Sequence, residues 1–356
     1  MIRPVPAIAA MAPYAVSDPG PAGALRLNQN ESAFGPSPSA LEAGRMALAT
    51  AALYPDPAWR DLRAAIAETH GLDPGQILCG AGSMELIGAL IRAYAGSGDV
   101  VLGSAHGYLF VATACAQAGA IYRTAPERAY TASVDALLEA ITAETRLVFL
   151  CNPANPTGTR VLSGEVLRLR AEMPPDALLV IDQAYAEFDD QEARPLFALA
   201  ERGDTVILRT FSKAYALASA RVGWGLFPTA IGQEMRKLLN PNNIPAVSQA
   251  LAAAAMRDTA HMAEITHRTA EIRDVFRARL TAAGWAVPES WTNFVLIPFA
   301  SAQAAGAADA ALRQAGVVLR GMAGYGLGHC LRATIGPPSD MERLADTLIA
   351  IRECTP

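Results

Sequence analysis

Lysine is nearly absent from this sequence. Of 29 basic residues in a chain of 356, only Lys213 and Lys237 are lysine, and the rest are arginine. Arginine serves wherever a fixed positive charge suffices, but not where a primary amine must lose its proton and attack a carbonyl. Composition alone leaves either lysine open to that role. Charge is scarce too: charged residues make up 18% of the chain and the formal net charge is -5. With no run of Lys and Arg, the electrostatic footprint of a nucleic-acid binder is missing, and an anionic ligand would need a local cluster of arginines. No apolar stretch, including 246–256, reaches the roughly 20 residues of a membrane span. Pro4 and Pro6 break the start of the chain too early for a signal peptide. Five cysteines (Cys79, Cys115, Cys151, Cys330, Cys354) without close-paired spacing read as reduced thiols of a cytoplasmic protein. His70, His261, His267 and His329 show no metal-ligand spacing, and no metal is expected. The chain also lacks the phosphate-loop pattern G-x-x-x-x-G-K-[ST] and the third glycine of a dinucleotide fingerprint.

What is present is apolar material, 52% of the residues, enough for two buried cores. From about residue 77, short apolar runs (77–79, 100–102, 147–150, 178–181, 206–208 and 222–227) alternate with helical stretches, one of them over 83–94. Such alternation indicates βαβ units and a mostly parallel sheet with helices on both faces, whose ligands sit beyond the carboxyl ends of the strands. A long helical pattern, with room for a break, follows over 246–283. Strand-like runs at 294–297, 316–319 and 330–335 then surround one helix and precede a last one at 340–352. The expected fold is α/β, with a large domain over 40–250. A smaller α+β domain is expected from 251–356, with residues 1–39 as an N-terminal arm packed on it.

The polar motifs fall just after the apolar runs. Thr210-Phe211-Ser212-Lys213 follows a strand directly, whereas Lys237 lies in a helical pattern beside Glu234 and Arg236 and reads as a surface residue. Arg221, eight residues beyond Lys213, is placed to return to the same crevice and bind phosphate. Gly80-Ala81-Gly82-Ser83-Met84-Glu85 is a glycine turn entering a helix, whose free N–H groups and dipole suit a phosphate monoester. Asn152-Pro153-Ala154-Asn155-Pro156-Thr157-Gly158 reads on its own as a rigid loop. Asp182, in Asp182-Gln183-Ala184-Tyr185, ends an apolar strand; burying it requires a partner, and a cation is expected there. Cys79 and Cys151, at strand ends, read as core.

Taken jointly, N-P-x-N-P-T-G, then D-x-A-Y, then S-K with Arg eight residues on, resembles the fold-type-I aminotransferases that depend on pyridoxal phosphate. A closer similarity, to the histidinol-phosphate aminotransferase family, spans nearly the whole chain. It rests on Leu27-Asn28-Gln29-Asn30-Glu31 with Gly35-Pro36-Ser37-Pro38, on Tyr54-Pro55-Asp56, and on Val318-Leu319-Arg320 with Leu331-Arg332-Ala333-Thr334-Ile335-Gly336. The resemblance implies pyridoxal 5'-phosphate as cofactor, carried on Lys213 as a Schiff base, with Lys213 then acting as the base. It implies Asp182 at the ring nitrogen, Asn155 and Tyr185 at the ring's phenolic oxygen, and Tyr108 stacked on its face. The phosphate would rest on Ser83, Met84, Thr210, Ser212 and Arg221, with Tyr54 reaching it from the partner in a homodimer. Arg332 would clamp a substrate carboxylate, and Tyr14 and Arg320 would face the distal end of the substrate. The implied reaction moves an amino group from histidinol phosphate or a related donor to 2-oxoglutarate.

Departures from the family pattern gather on the substrate side. Met84 stands where an acidic residue is common, and Ser32-Ala33-Phe34 replaces an Asn-Pro-aromatic stretch. Ser104-Ala105-His106-Gly107 replaces a proline-containing approach to the stacking tyrosine, and Pro337-Pro338 replaces Thr-x-Glu-Glu. Transamination of aromatic or other amino acids, and decarboxylation or racemisation on the same scaffold, therefore stay open. A non-catalytic cofactor sensor would lack its DNA-binding module, and a Rossmann-type nucleotide binder would leave Lys213 and Asp182 unexplained.

Overall fold

The structure, a computed structural model, describes residues 2–11 and 20–353. Its centre is a seven-stranded sheet made of β1 (Ile77–Gly80), β2 (Val100–Ser104), β3 (Ile121–Ala125), β4 (Thr145–Cys151), β5 (Leu178–Asp182), β6 (Thr205–Thr210) and β7 (Gly223–Leu226), in the order β1-β7-β6-β5-β4-β2-β3. The strands from β6 to β3 run parallel, and β7 runs antiparallel to both β1 and β6. Strands β5 and β6 are buried at every residue, as expected of near-continuous Leu, Val and Ile covered on both faces. Strand β3 is largely exposed. As an edge strand it carries no continuous apolar run, and periodicity does not reveal it.

Helices α1 (Ser83–Tyr94) and α2 (Leu109–Ala118) follow β1 and β2. The long helical pattern is two helices, α3 (Ala246–Arg257) and α4 (Thr259–Ala282). Asp258 breaks them apart, and its side chain caps α4 by accepting from the His261 N–H at 3.2 Å. Beyond α4, β8 (Phe294–Pro298), β9 (Arg320–Gly321) and β10 (Cys330–Thr334) form an antiparallel sheet in the order β8-β10-β9, flanked by α5 (Ala302–Gln314) and α6 (Pro338–Glu353). The N-terminal segment joins this part: Leu25–Arg26 pairs in parallel with Val317–Val318.

Two principal apolar clusters result. One surrounds the large sheet and draws on residues from Ala40 to Met256. The other packs Leu27 with Phe276, Leu280, Trp285 and residues up to Leu348. A third, small cluster (Leu296, Met322, Tyr325, Leu327, Cys330) has Leu109 and Tyr130 from the large-sheet side packed against it. Among the described residues no helix is long and apolar enough to cross a membrane, and no group of His, Cys, Asp or Glu is arranged to hold a metal.

Candidate active site

The parallel strands end along one edge of the large sheet, and a cleft of about 500 Å³ opens there. Asn155 and Asp182 follow or end β4 and β5, and Ser212 and Lys213 lie just after β6. Because β7 runs the other way, its beginning lies at this same edge. Thr210 pairs with Gly223, so residues 211–222 form an excursion over the edge that leaves with Ser212 and Lys213 and returns with Arg221. Strand direction is thus the reason an arginine eight residues from the lysine comes back to the cleft.

One end of the cleft gathers a helix N-terminus, an arginine and two hydroxyls, a donor set that suits an anion. Gly82, at φ 81°, caps α1, and the N–H groups of Ser83 and Met84 open that helix, where no carbonyl of a preceding turn can satisfy them. A Cβ on Gly82 would overlap the Arg221 guanidinium, and one on Gly223 would collide with the Gly82–Ser83 peptide. Arg221 Nη1 donates to Ser212 Oγ at 3.4 Å and to the Ala218 carbonyl at 3.0 Å. Thr210 Oγ1 donates to Ser212 Oγ at 3.0 Å. Glu85 holds the glycine turn by accepting from the Ala81 N–H at 2.6 Å and from Asn243 Nδ2 at 2.7 Å.

Asp182 lies at the middle of the floor. It is buried, and the Ala184 N–H donates to it at 3.1 Å. The cationic partner expected from sequence is not supplied by the protein: among the described residues no Lys or Arg nitrogen forms an ion pair with it. Removal from water, opposed only by that N–H, pushes its carboxyl up to about 7. Lys213 donates to the carbonyls of Asn30 at 3.0 Å and Gln29 at 3.3 Å. Desolvation first, then the charges of Arg332 and Arg221 working against Glu31, lower its amine to about 7. Tyr185 Oη accepts from Asn30 Nδ2 at 2.9 Å, and burial raises its phenol above the ordinary range. Arg332 Nη1 donates to Asn155 Oδ1 at 2.5 Å, and its Nη2 donates to the Asn28 carbonyl at 3.3 Å.

Ser83, Met84, Tyr108, Asn155, Asp182, Tyr185, Thr210, Ser212, Lys213, Arg221, Arg320 and Arg332 all line this one cleft. Tyr54 does not. It stands 88% exposed on the surface. Tyr14 lies outside the described residues. The other lysine, Lys237, is exposed and paired with Glu234 at 2.7 Å. Cys79 is core, whereas Cys151, also buried, borders the cleft as well. The half-buried His70 packs its ring against Trp224 and Phe197 with both ring nitrogens out of solvent, and desolvation lowers it to about 3, which keeps it neutral.

Two groups of lining residues carry no site role in the sequence reading, although residues 28–31 belong to a motif of the family resemblance. Residues 28–31 strap across Lys213: Asn30, at φ 56°, is held by Thr334 and Asn293. Two buried asparagines in a short polar stretch were the available signal. Tyr325 enters from the loop between β9 and β10, and nothing in its local sequence marks it.

The sequence profile described as aminotransferase class I and II matches residues 22–348. A histidinol-phosphate aminotransferase of Paramagnetospirillum magneticum is 45% identical over 94% of this chain and 94% of its own length. One of Cereibacter sphaeroides is 41% identical over 98% of this chain and 97% of its own. Among solved structures, the histidinol-phosphate aminotransferase of Sinorhizobium meliloti, in complex with pyridoxal-5'-phosphate, is similar with a TM-score of 0.91. It is 32% identical, with 100% of this chain and 99% of that chain covered.

Proposed function

Since this chain belongs to the class I and II aminotransferases and carries their fold-type-I architecture, we propose that it moves the amino group of histidinol phosphate, or of a related donor, to 2-oxoglutarate with pyridoxal 5'-phosphate in the cleft. One observation carries the reading. A lowered amine (Lys213) and a buried acid without a protein cation (Asp182) share a cleft whose end is an anion cradle sized by Gly82 and Gly223.

The residues fit the group. A protonated ring nitrogen is the cation Asp182 lacks, and a phosphate monoester suits Ser83, Met84, Thr210, Ser212 and Arg221. When bound, the cofactor supplies an aldehyde that captures amines and a ring that accepts electrons from the substrate's reacting carbon. The chain supplies the rest. Lys213 anchors the aldehyde through its amine and holds or returns the proton at the reacting carbon. Asp182 keeps the ring nitrogen protonated. The Arg332–Asn155 bond occupies the amide oxygen of Asn155 and leaves its NH₂ free to donate, so that with Tyr185 it would hold the ring's phenolic oxygen. Tyr108, which lines the same cleft, would cover the ring face.

On the substrate side, Arg332 clamps the carboxylate of the 2-oxo acid in a fork geometry, and Arg320 meets the phosphate of histidinol phosphate. Leu41, Met46, Leu48, Leu53 and Tyr54 form an exposed apolar set within 14 residues of sequence. Such a patch suits a second copy of the chain, whose Tyr54 would reach the phosphate cradle.

A donor panel tests the reading: purified protein with pyridoxal phosphate and 2-oxoglutarate, offered histidinol phosphate, aromatic amino acids and other amino acids. Glutamate forming fastest from histidinol phosphate is the expected result. Glutamate from none of them rejects transamination, and release of carbon dioxide or of the opposite enantiomer favours the decarboxylase or racemase alternatives.

A further inference from the structure

The loop before Tyr108 is Ser104-Ala105-His106-Gly107, and it makes a contact that none of the chemistry above uses. His106 Nδ1 lies 2.8 Å from the backbone carbonyl of Tyr325. A carbonyl only accepts, so the imidazole carries its hydrogen on Nδ1 and donates it. The loop itself is held on the large-sheet side: the His106 N–H donates to Glu127 Oε1 at 3.1 Å, the Ala105 N–H to the Ala125 carbonyl at 2.9 Å, and the Gly107 N–H to the Ser104 carbonyl at 3.0 Å. Tyr325 belongs to the other side, in the turn over 322–327 between β9 and β10. That turn closes with the Tyr325 and Leu327 N–H groups donating to the Met322 carbonyl. The bond therefore spans the seam between the two halves of the cleft wall.

The residues on either side of it line the cleft. Tyr108, two positions after His106, does so from the large-sheet side, and Tyr325 from the opposite side. The seam is reinforced nearby by the apolar cluster of Met322, Tyr325 and Leu327 against Leu109, and by Tyr130 Oη at 3.1 Å from His329 Nε2. We infer that His106 is a positioning residue for substrate: its imidazole fixes the Tyr325 turn, and with it the substrate wall of the cleft, at a set distance from Tyr108. This rests on the aminotransferase reading above for what the cleft binds. It assigns to this chain's own loop a part in setting donor affinity, without any contact to the cofactor's anchoring groups.

Asparagine places an amide donor where Nδ1 stands in histidine, whereas alanine removes the donor. In the holoenzyme, His106→Ala is expected to raise KM for the best amino donor about five- to tenfold, the effect of one neutral hydrogen bond. Its kcat and pyridoxal phosphate affinity stay near wild type. His106→Asn is expected to restore KM to within about twofold of wild type, since it returns a donor of the same reach. In the same preparations, exchange of the amides of Tyr325, Gly326 and Leu327 is expected to quicken in His106→Ala and to return toward wild type in His106→Asn. An unchanged KM in His106→Ala, an asparagine variant as impaired as the alanine one, or unchanged exchange would each overturn the assignment. So would a parallel fall in kcat, cofactor affinity and Tm, which would mark general damage. If the wild type transfers no amino group from any donor, the functional reading fails, and the exchange measurement still decides whether His106 holds the turn.

Discussion

Gly82 and Arg221 are complementary: the guanidinium of Arg221 fills the space that a side chain on Gly82 would need. Gly82 also sits at φ 81° and ψ 161°, a conformation that L side chains rarely adopt. The two facts make one residue type obligatory where helix α1 begins and an anion is to be held.

Gly82→Ala is therefore expected to act twice. Backbone strain should lower stability by about 1–3 kcal/mol. Displacement of Arg221 should weaken pyridoxal phosphate binding by about tenfold or more, since a charge-assisted contact is lost. Thermal unfolding reads the first effect and a spectroscopic cofactor titration the second; unaltered cofactor affinity would remove Arg221 from the cradle.

Asp182 gives the cofactor-free protein an acid-side signature. Its folded value, about 7, lies above the ordinary carboxylate value of 3.8. Its contribution to stability is thus fully present below about pH 4 and is lost as pH rises through about 7. Asp182→Asn removes the unpaired buried charge. The cofactor-free variant is expected to be more stable than wild type at pH 8, by an amount on the order of a few kcal/mol, while transamination falls by orders of magnitude. A cofactor-free variant less stable than wild type at pH 8 would show that another group already pairs with Asp182.

Lys213 produces the opposite slope. Its folded value is depressed to about 7 from 10.5, so its contribution is present above about pH 10.5 and is lost as pH falls through about 7. As far as these two groups go, the stability of the cofactor-free protein passes through a minimum near pH 7. Lys213→Met should erase the alkaline arm. On the proposed role of Lys213 as the amine that takes the cofactor, cofactor incorporation should speed up with pH to about 7 and level off above it, rather than climbing on toward pH 10. Stopped-flow absorbance across pH 6–9 measures this.

Tyr54 is exposed on its own chain and outside its own cleft. If it serves the neighbouring subunit, Tyr54→Phe should weaken cofactor binding. Mixing it with inactive Lys213→Ala should then regain activity, because mixed dimers hold one site with Lys213 from one chain and Tyr54 from the other. Sedimentation establishes whether dimers form at all. No regain in a mixture shown to contain mixed dimers would place Tyr54 outside the site.

The parts of the fold that were legible in the sequence are those buried on both faces. Strand β5 carries an apolar run buried at every residue, and β4 and β6 hold buried apolar runs at 147–150 and 206–208, although Arg146 of β4 is exposed. Strand β3 has one neighbour and a mostly exposed pattern, so nothing in its composition separates it from a loop. The same contrast holds at the site. Lys213 and Asn155 follow readable strands and Asp182 ends one, and sequence places them. Asn30 and Tyr325 arrive on irregular segments distant in the chain: a family-like motif marks Asn30 without placing it over Lys213, and no local pattern marks Tyr325.

Sequence by itself determined which lysine had a strand before it, which acid would be buried at a strand end, and where a glycine turn meets a helix, because these depend on neighbours within a few residues. Tertiary structure alone decided that β7 runs antiparallel and so returns Arg221 to the edge where Lys213 leaves it. It also decided that the cation expected at Asp182 does not come from the protein, and that His106 reaches Tyr325, more than 200 positions away. Those outcomes depend on strand direction and on contacts between distant segments, which chain packing sets and local propensity does not.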